Sequence, residues 1–189
     1  MRRRELVAAL PAVTVAGCTI GGDPPSADDG EFSLGIPGVG GELPERYTCD
    51  GAGESPPLRA ERVPDGADSV AVAGEWLRGY TPRTIWLLWG LPADDPLELP
   101  AGIPSGERIG TPIEAFQGTN DEERVGYRPP CHETADDQAY RFVAFALPEP
   151  LDVAPGAGRD AFDDAIEDDL SSVSTTTVRV RYERFEEPE

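Results

Sequence analysis

The chain has 189 residues, enough for one domain with a substantial core. Thirty-six acidic residues stand against sixteen basic ones, all of them arginine, for a net charge of −20. An acidic balance of this size argues against nucleic-acid binding, because phosphates are repelled. Glycine and proline, 21 and 20 residues, punctuate the chain at short intervals and favour many short strands over long helices. The acids are scattered in pairs rather than gathered in one block, and lysine is absent. This pattern fits a halophilic surface, on which molar salt screens the self-repulsion.

Residues 1–17 read as a targeting segment. Arg2, Arg3 and Arg4 precede the apolar run Leu6 to Ala16, which is too short to span a bilayer as a helix. Arg3-Arg4-Glu5-Leu6-Val7 has the look of a twin-arginine export signal. Val15-Ala16-Gly17-Cys18 resembles a lipobox, with Cys18 as the lipidated first residue of the mature chain. The alternative is a plain signal peptide with a chance cysteine; the small residues before Cys18 favour the lipobox. Residues 18–31 form a flexible tether with little to bury. The expected location is therefore outside the cell interior, held by a lipid at the outer face of the cytoplasmic membrane.

A folded domain is expected over residues 32–187. Phe32, Leu34 and Ile36 alternate as a first strand. Ser69 to Ala73 is a short buried strand, Trp76 to Pro82 a loop, and Thr84 to Leu91 a second core strand. Trp86 and Trp89, three apart on that strand, face opposite sides. Pro92 to Thr119, rich in proline and glycine, is expected to run over the surface. Tyr140 to Leu147 is apolar on both faces after Arg141 and reads as a buried central strand. Asp160 to Leu170 places Phe162, Ile166 and Leu170 on one face of a helix. Thr175 to Phe185 ends the fold as a strand with Arg179, Arg181 and Glu183 outward. The class is mainly β: an antiparallel β-sandwich with a C-terminal helix and long Pro/Gly-rich loops.

A series of short motifs follows in order: Tyr47-Thr48-Cys49-Asp50-Gly51, Ser55-Pro56-Pro57-Leu58, Trp86 with Leu91-Pro92-Ala93, Asn120-Asp121, Gly126-Tyr127 with Pro130-Cys131, then Tyr140 and Phe142 to Leu147. Each is weak alone. Together they resemble the phosphatidylethanolamine-binding protein (PEBP) family in its prokaryotic Raf-kinase-inhibitor-like branch, here in a haloarchaeal-type lipoprotein form. The resemblance implies a central antiparallel sheet flanked by a second sheet, with a small anion-binding pocket at one end. It implies binding of phosphate-type head groups or inhibition of partner proteins, without catalysis or cofactor. The family's acidic pocket loop is replaced by Glu75-Trp76-Leu77-Arg78. Its two pocket histidines correspond to Ile85 and Gln138, while Tyr127, Pro130 and Tyr140 remain. The resemblance therefore assigns ligand binding to Glu75, Trp76, Ile85, Trp86, Tyr127, Pro130, Gln138 and Tyr140, and implies an altered pocket with weakened phosphate binding. Arg78 or Arg128 is a candidate replacement cation.

Cys49 and Cys131 both lie beside pocket motifs, and in an exported protein a disulfide between them is favoured over two free thiols. His132 is the sole histidine. Near Glu133, Asp136 and Asp137 it suggests a metal site, but the spacing fits no zinc pattern, and a surface-loop histidine is the preferred reading. No serine sits in a nucleophile elbow, so neither a catalytic residue nor a metal is assigned. The functional expectation is a non-enzymatic, membrane-anchored binding protein for a small polar or phosphate-bearing ligand. The alternative is a protein-interaction or inhibitor module with a vestigial pocket, its specificity lying in the loops from Pro92 to Thr119; a hydrolase or metal enzyme using His132 and nearby carboxylates is the third and least favoured reading.

Overall fold

The computed structural model describes residues 31–133, 136–167 and 174–184. The targeting segment, most of the tether, Cys18 and Leu170 lie outside the described residues. In chain order the strands are β1 (Ser33–Gly35), β2 (Leu58–Glu61), β3 (Ser69–Trp76), β4 (Arg83–Pro92), β5 (Leu97–Leu99), β6 (Arg108–Ile109), β7 (Ala115–Gln117), β8 (Gln138–Leu147) and β9 (Ser174–Tyr182). The helix α1 (Arg159–Glu167) lies between β8 and β9. All strand pairs are antiparallel. One sheet has the order β1-β2-β5, the other β6-β7-β4-β3-β8-β9. The mainly β, two-sheet class with a late helix is thus the one expected.

The continuous apolar runs follow from the layering. Every residue of β3 is buried, because both faces of the large sheet are covered. On one face Val70, Val72, Trp86, Leu88, Tyr140 and Phe142 pack in a core shared with Leu58, Leu97 and Leu99 of the small sheet. On the other, Ala71, Ala73, Leu87, Trp89 and Leu147 meet Phe162 and Ile166 of α1. Full burial of such a side chain stabilises by roughly 1.5–3 kcal/mol, so Phe162 and Ile166 are enough to seat a helix of this length. Trp86 and Trp89 face opposite ways, as their spacing requires. Where Leu34, Val70 and Leu97 meet, the two sheets leave no space for a water molecule.

Two expectations are corrected. Pro92 to Thr119 is not a surface run: it contributes β5 to the small sheet and β6 and β7 to the large one, and buries Leu97, Leu99, Ile103, Ile109 and Ala115. Strands of two or three residues are too short for alternation to register. The segment from Trp76 is not all loop either, since β3 continues through Glu75 and Trp76, paired with Arg141 and Tyr140 of β8. On its β4 side, Gly74 pairs with Trp86 and Glu75 with Thr84, so Ile85 is an extra residue in a β-bulge. The bulge turns Ile85 into the same core as Trp86 and ends regular pairing at the place where the site begins.

Candidate functional site

The site lies where β3 ends and β8 starts. Trp76 and Tyr140 are direct cross-strand partners, and their rings stack at 6.0 Å with planes 17° apart. Gln138 Oε1 accepts a hydrogen bond from Trp76 Nε1 at 3.1 Å. Leu77 N–H extends the ladder by one bond, to the Ala139 carbonyl at 2.9 Å.

The next wall is the corner from Tyr127 to Cys131. The bulge leaves the Ile85 carbonyl unclaimed by a strand, and Arg128 N–H takes it at 2.7 Å. Asn120 shapes the approach. Its amide donates to the Gly126 carbonyl, and its side-chain oxygen accepts from the N–H groups of Glu122 and Arg124. The Tyr127 ring meets Trp86 edge-on at 5.6 Å, and its hydroxyl donates to the Tyr47 carbonyl at 2.8 Å. Burial, followed by the neighbouring Tyr140 and Tyr47, pushes the Tyr127 pKa well up, so the hydroxyl stays a neutral donor.

The Thr48-to-Gly51 turn closes against this corner. Gly51 is required there: a Cβ on it would stand 2.4 Å from the Glu45 carbonyl oxygen. Cys49 N–H donates to the Pro130 carbonyl at 3.0 Å. The expected Cys49–Cys131 disulfide joins the same two segments, with Cα atoms 5.3 Å apart. Asp50 receives the Tyr182 hydroxyl and Arg184 Nε, and Arg184 Nη1 also donates to the His132 carbonyl at 3.1 Å.

This frame corrects the reading of His132. It is not a surface histidine: 4% of it is exposed. The bridged Cys131 and the Arg184 bond to its carbonyl turn the ring inward. It packs edge-on against Tyr182 at 5.4 Å and lies 6.4 Å from the Trp76 ring. Neither ring nitrogen has a hydrogen-bond partner among the described residues, and neither does the Tyr140 hydroxyl. Buried polar atoms without partners are exceptions in folded proteins, and these three belong to two side chains that both pack against Trp76. Burial, then the Arg184 charge, push the His132 pKa down, which favours the neutral ring with one N–H and one lone pair. Burial pushes the Tyr140 hydroxyl up.

Both candidate cations lie over Trp76, Arg78 at 5.0 Å and Arg128 at 5.6 Å from the ring centroid. They differ in electrostatics. Arg128 is bonded to Asp121 at 3.1 Å and to Glu122 at 2.8 Å. Arg78 is exposed and has no ion pair among the described residues.

Of the expected ligand residues, Trp76, Gln138 and Tyr140 come together, with Tyr127 and Trp86 adjoining. Trp86 Nε1 is spent on Gln117 Oε1 at 2.7 Å, so Trp86 is part of the packed wall. Ile85 is buried between the Gly74 backbone and the core, and Pro130 is buried at the corner. Glu75 is a correction. One residue from Trp76 on the same strand, it points to the opposite face and is bonded there to Arg141 and, at 2.6 Å, to Arg159 of α1. It ties the helix to the sheet and does not line the site. His132, Asp50, Tyr182 and Arg184 belong to the site without having been assigned to it. The adjoining Cys131 was the available signal for His132, because a cross-linked corner fixes the direction of the residue that follows. Among the described residues, no group of three or more His, Cys, Asp or Glu is arranged to hold a metal ion, and no helix is long and apolar enough to cross a membrane.

The phosphatidylethanolamine-binding protein family profile matches residues 37–182. A UPF0098 protein of Pyrococcus abyssi is 33% identical over 156 residues, covering 80% of this chain and 83% of its own. A UPF0098 protein of Chlamydia trachomatis is 29% identical over 158 residues, covering 81% and 95%. Among solved structures, a PEBP homologue of Chlamydia trachomatis superposes with a TM-score of 0.68 at 26% identity, covering 82% of this chain and 99% of its own. Escherichia coli YbcL, described as a new member of the mammalian PEBP family, gives a TM-score of 0.68 at 25% identity with the same coverage.

Proposed function

The chain belongs to the phosphatidylethanolamine-binding protein family, and we propose that it is a non-enzymatic binding protein whose site around Trp76 takes a small polar ligand. One observation carries this reading: His132 and Tyr140, whose rings both pack against Trp76, carry three buried polar atoms without a hydrogen-bond partner among the described residues. Such atoms cost about 1–3 kcal/mol each when left unmade, and a ligand that bonds them recovers that cost. Neither nitrogen of His132 is paired with a hydroxyl, thiol or carboxylate among the described residues, and Cys49 and Cys131 are bonded to each other.

The proposal extends to location. The Arg3-Arg4 start, the apolar run and the small residues before Cys18 support export and a lipid anchor at the outer face of the cytoplasmic membrane. An exposed cystine is consistent with an oxidising compartment. Native mass spectrometry of the chain isolated from its own cells tests these points together. The expected species begins at a lipid-modified Cys18, contains one disulfide and retains a small-molecule mass that Gln138→Ala reduces. An unprocessed chain refutes the anchor, and a ligand-free mass in both forms refutes the binding role.

A second reading, a module that docks on a partner protein, draws on one feature. Tyr80 is fully exposed on the β3–β4 connection, two residues from the exposed Arg78. Tyrosine and arginine are the residue types that anchor interfaces. A Tyr80→Ser variant that loses a co-purifying protein while keeping the small ligand would establish this role.

A further inference from the structure

The hydrogen-bonding capacity left open in the site restricts the ligand more than its family does. The site's open positions are both donors and acceptors. A neutral imidazole has one N–H and one lone pair, and both are unpartnered on His132. The Tyr140 hydroxyl, equally unpartnered, can give one bond and accept another. Gln138 has committed its oxygen to Trp76 Nε1 and keeps its amide as a donor. A fully deprotonated oxyanion only accepts. It would leave the His132 lone pair unmatched and set an oxygen lone pair against it.

Charge points the same way. Arg128 is bonded to Asp121 and Glu122, carboxylates it shares with Arg83 and Arg124, and Arg184 is bonded to Asp50. Arg78, the cation over Trp76 without an ion pair among the described residues, is exposed to water. A dianion placed beside His132 and Tyr140 would therefore compete for an arginine already committed to two carboxylates, and its burial carries a desolvation cost of several kcal/mol.

We propose that the site at Trp76, where His132 and Tyr140 both pack, selects an uncharged group that both donates and accepts hydrogen bonds, a carboxamide or a hydroxyl, in preference to phosphate. His132 is the specificity-determining residue, and Trp76, against which His132 and Tyr140 both pack, fixes where their polar atoms stand. The proposal rests on the reading of this site as a ligand pocket.

The chain has a single histidine, so the His132 ring signals in a nuclear magnetic resonance spectrum need no further assignment. The full-length protein is titrated separately with acetamide, ethylene glycol, inorganic phosphate and inorganic sulfate, following the His132 ring and the Trp76 Nε1–H. Saturable shifts with acetamide or ethylene glycol, at concentrations at least tenfold below any phosphate response, are the expected result. Comparison of those two probes then identifies amide or hydroxyl as the preferred source. His132→Asn, which keeps a donor and an acceptor, retains acetamide binding within about threefold; His132→Leu loses at least tenfold, read at Trp76. Phosphate saturating at lower concentration than both neutral probes overturns the proposal and leaves the pocket standing. No response at either ring to any probe overturns the pocket itself, with water as the sole occupant.

Discussion

Cutting the Cys49–Cys131 bridge removes a constraint on the unfolded chain that spans 82 residues of sequence. On the chain-entropy relation a loop of that size corresponds to about 4.5 kcal/mol, against a typical total of about 5–15 kcal/mol for a domain. The perturbation is the double variant Cys49→Ser, Cys131→Ser. Both cysteines are exposed, so the serines leave no core cavity, and the difference isolates the cross-link. The folded join persists in the variant through the Cys49 N–H bond to Pro130 and the Tyr127 hydroxyl bond to Tyr47. With a urea slope of about 2 kcal/mol per molar, the midpoint falls by about 2 M relative to wild type at the same salt concentration. Wild type treated with reductant converges on the variant. A midpoint change below about 0.5 M, or two free thiols counted in the untreated protein, would mean that the bridge does not constrain the chain, and the reasoning fails.

Glu75→Gln removes the carboxylate that Arg141 and Arg159 share. The loss is about 3 kcal/mol in urea unfolding, the low end for breaking a buried pair, because each arginine side chain keeps 31% exposure; acetamide binding is unaffected, and a binding defect would refute its placement on the helix side. Tyr127→Phe deletes the bond to Tyr47 and lowers stability by about 1 kcal/mol. Because that hydroxyl is already committed, acetamide affinity stays within about twofold, and a tenfold loss would put Tyr127 in the ligand shell. For His132 the folded pKa is depressed below the unfolded 6.5, by burial first and Arg184 second, with Asp50 and Asp136 opposing. The unfolded state therefore binds the proton first. The associated stability is present above about pH 6.5 and is lost as pH falls through the depressed folded value. Melting curves between pH 7.5 and 5 flatten in His132→Asn relative to wild type, and parallel curves would contradict the burial.

The sequence made the fold legible wherever a strand was long enough to show its environment. Tyr140 to Leu147 and Thr84 to Leu91 are apolar on both faces because both faces of the large sheet are covered, and that property is written in consecutive residues. Leu97–Leu99, Arg108–Ile109 and Ala115–Gln117 were illegible because each is two or three residues long, and only its partner strand makes it a strand. Glu75 was misplaced for a related reason. Alternation along β3 decides which way it points, and that decision required knowing that the strand continues through Trp76. The ion pairs with Arg141 and Arg159 lie 66 and 84 residues away in sequence, so no local pattern announces them.

His132 shows how site chemistry escapes a linear reading. Motif order assigns Ile85 and Gln138 to the positions where the family resemblance implies histidines, which suggests a site that has lost its imidazoles. In space an imidazole is present, delivered by the corner after Cys131 and lying 6.4 Å from Trp76. Three separate contacts set its direction: the bridge to Cys49, the Arg184 bond to its carbonyl, and the edge of Tyr182. Arg184 and Tyr182 are in turn both bonded to Asp50, one residue from Cys49. The first turn, the corner and the last strand thus hold one ring between them. A change at Asp50 should therefore disturb the candidate site through the groups it holds. Asp50→Asn keeps an acceptor for Tyr182 but removes the charge that holds Arg184. The His132 ring shifts should move toward solvent-exposed values in that variant, and acetamide affinity should fall with them. Ring shifts that stay at their wild-type positions would show that the bridge and Tyr182 suffice to hold the imidazole inward.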